Sequence, residues 1–200
     1  MNTSKKGLST QLHQRKRSKK SKSDDWWTPK WLFKILCLIY DFHPKLDVSA
    51  SYLNTKCEYY LDKKWNALEQ DWWYGMKVTR KSRKTGKPIS YSWHWFEDHK
   101  LDIWCNPPNK DLGKFMLKAY EQYKKFRKDG MRIMMIVPTN TMSSNAFWDA
   151  IELPKDRGEM VSYKPIYKRI EFLEKGKDPE FGARNAYLVV IWGKRNINIP

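Results

Sequence analysis

The stretch that decides the fold is LDIWCNPPNK, residues 101–110. An apolar strand pattern leads directly into Asn106, Pro107 and Pro108, and an amphipathic helix pattern follows from about Asp111. Two consecutive prolines fix φ and lack an N–H group, so the chain must leave the sheet at this point. In open α/β sheets, ligands bind at the carboxyl ends of the strands. Asn106 to Asn109 are therefore the candidate site.

The positive charge of the chain is concentrated in two segments. The formal net charge is +17, and the residues before Asp24 contribute eight Lys or Arg without any acid, while residues 76–90 contribute six more. The rest of the chain carries a balance of only three positive charges. Two basic segments on a nearly neutral body indicate binding to a polyanion. For the N-terminal segment alone, a solvated tail that aids solubility is an equally good interpretation.

Cysteine usage and hydropathy argue against several classes of protein. Three widely spaced cysteines (Cys37, Cys57 and Cys105) match neither a disulfide framework nor a zinc motif, so we expect a reducing compartment and no metal. The basic N-terminus lacks the apolar segment of a secretory signal. The longest apolar run, residues 31–40, is too short to span a bilayer, so no membrane partner is expected. The predicted location is intracellular, in the host cytoplasm if the protein is viral.

Apolar periodicity predicts one α/β domain over residues 25–195, after a disordered basic tail at residues 1–24. Thr28 as a cap and Pro29 at the first helical position predict a helix start. The predicted buried face of that helix consists of Trp31, Ile35, Leu38, Ile39 and Phe42. After the Asn-Pro-Pro motif, a second helix is predicted to bury Leu112, Phe115, Met116, Ala119, Tyr120 and Tyr123 and to end at Gly130.

The remaining patterns predict the strands. Residues 133–137 and 187–192 are continuous apolar runs, which are typical of strands buried on both faces. Residues 165–173 alternate like a half-buried strand, and residues 76–100 look like a basic and aromatic insertion with a hairpin tip at residues 85–88. This order of elements predicts a mostly parallel sheet flanked by helices.

The Asn-Pro-Pro motif is suited to activating an amino group. The exocyclic amine of adenine or cytosine is a poor nucleophile because its lone pair is delocalised into the ring. An asparagine oxygen and the next carbonyl, held on a rigid turn, offer two acceptors where the amino hydrogens point once the nitrogen turns pyramidal. A base in a duplex must be flipped out to reach such a pocket. Taken alone, the tripeptide is more simply explained as a rigid strand exit.

The order of several other segments favours an amine-activating motif over a simple strand exit. Trp-x-Thr-Pro at residues 26–29, Leu-Asp-Val-Ser-Ala-Ser at 46–51 and Trp-Cys-Asn-Pro-Pro at 104–108 resemble, in this order, the phage-type DNA N6-adenine methyltransferases, the Dam-like family of bacteriophages. Residues 137–141 and 168–172 also resemble that family's pattern. The resemblance implies a class-I, Rossmann-like methyltransferase fold, S-adenosylmethionine as cofactor and double-stranded DNA as partner.

The resemblance also implies site residues. Asn106, Pro107, Pro108 and Asn109 match the catalytic tetrapeptide, whereas Thr28, Pro29, Asp47, Ser49 and Ala50 match cofactor-binding segments. From the charge pattern, we predict that Arg80, Lys81, Arg83 and Lys84 bind the DNA backbone. The acid that would bind the cofactor ribose is left open between Asp62 and Asp71.

Two departures from the family pattern stand out. Asn109 occupies the position where the family has an aromatic ring that stacks on the flipped base, and the cofactor loop has Ser49 to Ser51 in place of Gly-x-Gly. Base stacking contributes about 1–3 kcal/mol. Trp104, Phe115 or an aromatic from residues 91–96 substitutes for the ring, or activity is weak, or the base is presented differently.

Three alternative functions remain open at the level of sequence. The first is cytosine N4 methylation by the same motif. The second is a DNA-binding protein on a catalytically degenerate methyltransferase scaffold, which Asn109 and the two basic segments would suit. The third keeps the chemistry but acts on RNA or on a protein glutamine, and the charge pattern favours a nucleic acid over a protein.

Overall fold

A computed structural model of the chain describes residues 26–82, 84–94, 101–167, 170–174 and 186–193. The predicted tail at residues 1–24 and part of the predicted insertion, Arg83 and residues 95–100, lie outside these ranges. The strands are β1 (Trp26–Trp27), β2 (Leu46–Asp47), β3 (Tyr59–Tyr60), β4 (Tyr74–Lys81), β5 (Pro88–His94), β6 (Asp102–Cys105), β7 (Arg132–Pro138), β8 (Val161–Pro165), β9 (Leu173–Glu174) and β10 (Tyr187–Trp192). The helices are α1 (Lys30–Ile39), α2 (Leu112–Phe126), α3 (Asn145–Phe147) and α4 (Leu153–Asp156), with a π-helical segment, Trp148–Glu152, joining the last two.

Eight of the described strands form a mixed sheet in the order β5-β4-β3-β2-β6-β7-β10-β8. The four central strands, β3, β2, β6 and β7, are parallel. At one edge, β10 runs antiparallel between β7 and β8, and at the other edge β4 and β5 form an antiparallel hairpin. Strands β1 and β9 pair separately. The predicted sheet, mostly parallel at its centre and flanked by helices, is confirmed.

Strand β7 is buried along its whole length because helices cover both faces of the sheet. Ile133, Met135 and Val137 belong to the core under α2, whereas Met134 and Ile136 belong to the core under α1. This alternation explains the continuous apolar run, since neither face of the strand meets water. The strand predictions at residues 133–137 and 187–192 are confirmed.

Helix α2 matches its prediction except that Tyr120 is only half-buried, whereas Gln122 is buried. It buries Leu112, Phe115, Met116, Ala119, Gln122 and Tyr123, and Gly130 ends the following turn with φ of 80°. A residue with a side chain rarely adopts this left-handed conformation, so glycine suits the position. Among the described residues, no helix is long and apolar enough to cross a membrane.

The predicted buried face of α1 is wrong at four of its five residues, and only Phe42, just beyond the helix, is buried as predicted. The helix buries Leu32 and Leu36, while Trp31, Ile35, Leu38 and Ile39 are exposed, Leu38 to 83%. Its sequence, KWLFKILCLI, is apolar on nearly every side, so periodicity alone does not single out one face. The predicted Thr28 cap is wrong as well. Pro29 is the capping residue, and its carbonyl accepts the first helical hydrogen bond from Phe33 N at 3.2 Å.

The predicted strand at residues 165–173 is also wrong. Strand β8 ends at Pro165, which pairs with Leu188, and one further bond, from Ile166 N to the carbonyl of Tyr187 at 2.8 Å, reaches the first residue of β10, where the partner strand ends. Leu173 instead pairs with Trp27 in the small sheet. The hairpin prediction is confirmed: β4 and β5 are joined through a tip in which Gly86 has φ of 67°.

A buried ion pair closes the amino ends of β6 and β7. Arg132 Nε donates to Asp102 Oδ1 at 2.7 Å, and a second guanidinium nitrogen contacts the other carboxylate oxygen. Asp102 also accepts from the main-chain N–H of His43 at 2.6 Å, and Arg132 donates to the carbonyl of Asp41 at 2.8 Å. This network lies at the end of the sheet opposite the Asn-Pro-Pro motif.

Candidate active site

A cavity of about 900 Å³ lies at the carboxyl ends of β2, β3, β6 and β7. Its wall includes the residues that follow each of these strands: Ser49 and Ala50 after β2, Asp62 after β3, and Asn106 to Asn109 after β6. Six of the predicted catalytic and cofactor residues therefore line one cavity. Its size falls within the range typical of small-molecule sites.

The loops after β2 and β6 are joined by a side-chain hydrogen bond. The main-chain N–H of Asn106 donates to Ser49 Oγ at 2.9 Å. The parallel pairing also continues past the ends of the strands, because Val48 N donates to the Trp104 carbonyl at 3.0 Å and Ala50 N donates to the Leu61 carbonyl at 3.3 Å. The first two bonds fix the Asn-Pro-Pro turn relative to the Ser-Ala-Ser loop, and the third fixes that loop relative to the segment after β3.

The Asn-Pro-Pro turn itself changes from buried to exposed within four residues. Pro107 is buried, Asn106 and Pro108 are half-buried, and Asn109 is exposed. The Pro108 carbonyl accepts from Asp111 N at 3.0 Å, which forms the short turn that leads into α2. Pro107 and Pro108 have no N–H to satisfy, so the turn can leave the sheet without orphaned donors.

Asp47 does not line the cavity; it shapes the loop that does. The buried carboxylate accepts the main-chain N–H groups of Ser49 and Lys56, each at 3.2 Å. Burial raises the pKa of Asp47 to about 6, and the two N–H donors oppose that rise. Its role in the structure is to hold the two ends of the 49–56 loop close together.

Of the two acids considered for the cofactor ribose, only Asp62 lines the cavity. Asp71 accepts from Lys125 Nζ at 2.6 Å and from Gln122 Nε2 at 3.1 Å, and the bond from Lys125 lowers its pKa. It pins the preceding loop to α2 and does not line the cavity. Asp62 lines the cavity, with one carboxylate oxygen accepting from Lys64 N at 2.9 Å.

Four aromatic residues line the cavity: Trp27, Phe115, Phe172 and Tyr187. Phe115 was among the candidates to replace the missing ring at Asn109. Trp104, another candidate, is buried on the face of the sheet under α1, where it meets Phe33 edge-to-face at 4.9 Å. The side chains of residues 91–94 and all of residues 95–96 lie outside the described part of the chain.

The other predicted site residues that the structure describes lie away from the cavity wall. Thr28 and Pro29 are buried just after Trp27, and within the described part of the chain Thr28 Oγ1 has no hydrogen-bond partner. Arg80 lies 3.5 Å from Glu58 and over the ring of Tyr59. Lys84 is exposed at the hairpin tip, whereas Arg83 and the side chain of Lys81 are outside the described residues.

Sequence reasoning missed the basic residues at this cavity. Lys63, Lys64 and Lys110 line it together with Asp62 and Asp111. A signal was available, because Lys63 and Lys64 directly follow the acid after a strand. Strand β3 is only two residues long, however, and leaves no periodic pattern from which its end could be located.

The parallel strands β3, β2, β6 and β7, the antiparallel strand β10 beside β7, and the loops after β2, β3 and β6 around one cavity match the class-I methyltransferase fold that the sequence resemblance implies. Residues 15–82 match the family model described as DNA N-6-adenine-methyltransferase (Dam), which confirms the resemblance seen in the sequence. The matched range ends before Asn106. A solved structure described as human methyltransferase 10 domain containing protein is similar at 12% identity and a TM-score of 0.32, over 49% of this chain and 41% of that one. This chain therefore spans less than half of that protein's length. No curated protein matches the chain.

The bond between the two loops gives a first testable prediction. Ser49→Ala removes the acceptor for the Asn106 N–H, so hydrogen exchange of that amide, followed by NMR, should become about twofold to tenfold faster. Ser51→Ala is the matched control, because Ser51 Oγ bonds only to Asn54 in its own loop among the bonds described. Unchanged exchange in Ser49→Ala would show that the bond does not hold the turn.

The pKa of Asp47 gives a second prediction. A carboxyl group whose pKa rises on folding, here from 3.8 to about 6, stabilises the fold below the lower value and loses that contribution as the pH rises through the higher one. Relative to Asp47→Asn, the free energy of unfolding of the wild type should fall by about 3 kcal/mol between about pH 4 and pH 6. Urea denaturation across this range measures it.

Asp71→Asn is the control of opposite sign. The pKa of Asp71 is lowered, so the wild type should lose stability relative to that variant as the pH falls below about 4. A pH-independent difference between the wild type and Asp47→Asn would contradict the assignment of the raised pKa to Asp47.

Proposed function

We propose that this protein is a DNA methyltransferase that moves the methyl group of S-adenosylmethionine to the N6 atom of adenine. The observation that carries the proposal is the shared cavity: Asn106 to Pro108, the Ser49–Ser51 loop and Asp62 line it together. The family match over residues 15–82 supports the substrate class. The geometry supports the chemistry, because an amine-activating motif and a nucleoside-sized pocket meet at the carboxyl edge of the sheet.

The residues after β2 and β3 fit the cofactor. Ser49, Ala50 and Ser51 are small, which lets a ligand approach the loop closely, and Asp62 can accept hydrogen bonds from ribose hydroxyls. When bound, S-adenosylmethionine supplies an electrophilic methyl group.

Asn106 and Pro107 activate the base. The Asn106 carboxamide oxygen and the Pro107 carbonyl accept the two hydrogens of the adenine amine, which frees its lone pair toward the methyl donor. The Ser49 bond to Asn106 and the two prolines hold both acceptors in place before the base arrives, so little reorganisation is needed. No strong general base is required, and burial keeps the neighbouring Cys105 thiol protonated by raising its pKa.

The flipped base is held by Phe115 in the absence of a ring at Asn109. Phe115 belongs to the first turn of α2 and lines the cavity, whereas Asn109 is exposed and offers only hydrogen bonding. An aromatic face in the cavity can recover part of the stacking energy that the family obtains from its tetrapeptide.

Two groups of cations support DNA as the partner. Lys63, Lys64 and Lys110 line the cavity into which a flipped nucleotide would have to enter. The β4–β5 hairpin carries further basic residues, of which Lys84 and Lys87 are exposed at the tip. Arg80 is engaged by Glu58 and Tyr59, so it contributes less to a free phosphate surface than the sequence pattern implies.

A second candidate function is favoured by Asn109. A scaffold that has lost its stacking residue could bind DNA without methylating it. That alternative predicts salt-dependent DNA binding and no heat of binding with S-adenosylmethionine, so calorimetry distinguishes it from the enzyme. Cytosine N4 methylation uses the same acceptors, and analysis of the methylated nucleoside separates it from adenine N6.

Replacing the catalytic amide tests the enzyme directly. Asn106→Ala removes one of the two acceptors for the amine and should lower transfer of tritium from labelled S-adenosylmethionine to duplex DNA by at least about a hundredfold. Cofactor affinity should change little, because the acceptors act on the base.

Asn145→Ala is the matched control, since Asn145 is exposed at the start of α3 and does not line the cavity. Undiminished transfer by Asn106→Ala would overturn the mechanism. Transfer that is absent in the wild type, together with measurable DNA binding, would favour the degenerate scaffold.

The hairpin gives a separate prediction. Lys84→Gln with Lys87→Gln should weaken DNA binding and reduce the slope of log K against log salt by about 0.9 for each lost phosphate contact. Lys128→Gln is the control, because Lys128 is exposed in the turn before β7, which lies four strands from β4 in the sheet. An unchanged slope in the double variant would show that Lys84 and Lys87 do not contact phosphates and that the hairpin tip is an ordinary solvated loop.

A further inference from the structure

The acid on the cavity wall is linked to the basic hairpin through a threonine. Thr79 lies on β4 and is only 4% exposed. Thr79 Oγ1 donates to Asp62 Oδ2 at 3.4 Å and accepts from Trp65 Nε1 at 2.9 Å. A hairpin residue thus contacts, by its side chain, an acid that lines the cavity.

The direction of both bonds is fixed by the chemistry of the partners. An indole N–H can only donate, and a carboxylate can only accept. The Thr79 hydroxyl must therefore accept from Trp65 and give its single hydrogen to Asp62. Because Oγ1 accepts from Trp65, its single hydrogen can point to Asp62, and turning that hydrogen elsewhere would break the bond to Oδ2.

The two oxygens of Asp62 are then held by different elements. Oδ1 accepts from Lys64 N at 2.9 Å within its own loop, whereas Oδ2 is held from β4. Strand β3 is too short to orient a side chain two residues beyond its end through its own ladder. The bond from Thr79 supplies an orientation that the loop alone does not.

We propose that Thr79 is a positioning residue that aims Asp62 at the ribose hydroxyls of the cofactor, so that the β4–β5 hairpin supports the cofactor site as well as carrying DNA-binding residues. This inference rests on the proposed function, because it takes the cavity to be the cofactor site. Thr79 does not line the cavity, and it acts only through Asp62. The hairpin has a second contact with the pocket loop, in which Tyr52 Oη donates to the Gly86 carbonyl at 2.7 Å.

Calorimetric titration of the full chain with S-adenosylmethionine tests the inference. Thr79→Val keeps the shape and removes the hydroxyl, and it should weaken cofactor affinity about fivefold to tenfold. Thr79→Ser keeps the hydroxyl and should restore affinity to within about twofold of the wild type. In an Asp62→Asn background, Thr79→Val should cause no further loss, because its effect passes through the carboxylate.

Ser82→Ala, which removes the oxygen that accepts from Thr85 N at 3.1 Å within the hairpin tip, is the matched control for a general loosening of the hairpin, and it should leave cofactor affinity unchanged. Thr79→Ala removes the same hydroxyl and takes the place of Thr79→Val if that variant does not fold by circular dichroism. Wild-type affinity in the hydroxyl-free variant, failure of Thr79→Ser to rescue, or an equal loss in the Asp62→Asn background would each overturn the inference. These results differ from failure of the proposed function, in which the wild type itself would not bind S-adenosylmethionine.

Discussion

The hydrogen bond from the main-chain N–H of Asn106 to Ser49 Oγ is the interaction on which the site depends. It joins loops that are 57 residues apart in sequence and that belong to adjacent parallel strands. Without it, two prolines would leave the sheet with only the short β6 ladder to direct them. With it, the Asn-Pro-Pro turn and the Ser49–Ser51 loop become two walls of one cavity, and the distance between them is set by the spacing of neighbouring strands.

Sequence reasoning succeeded where burial leaves a regular pattern. Strands β7 and β10 are apolar throughout because both faces are covered, and α2 has one clear apolar stripe. It failed at α1, whose sequence is apolar on nearly every side, so that packing against the sheet and not periodicity chooses the buried face. The strand predicted at residues 165–173 failed because a ladder ends where its partner ends, and the partner, β10, is distant in sequence.

The sequence predicted part of the candidate site and missed the rest. Asn106 to Asn109, Ser49 and Ala50 line one cavity as expected, because the ends of parallel strands lie at the same edge of the sheet. Asp62 could not be chosen over Asp71 from sequence, since the choice depends on where β3 ends and on which acid meets Lys125 of α2. Asp47 looked like a ligand residue, but burial and two main-chain donors make it the brace of the loop.

The pairing of β2 with β6 has a consequence for folding. Before Leu46 can pair with Ile103, the chain between them must be closed into a loop, and closing a long loop is entropically unfavourable before any contact offsets it. The β4–β5 hairpin lies inside that loop, and its two strands are neighbours in sequence, so it can form first and draw the two ends nearer to each other. Once it has paired, the segment that looked like an insertion into the domain therefore shortens the loop that must close to assemble the centre of the sheet.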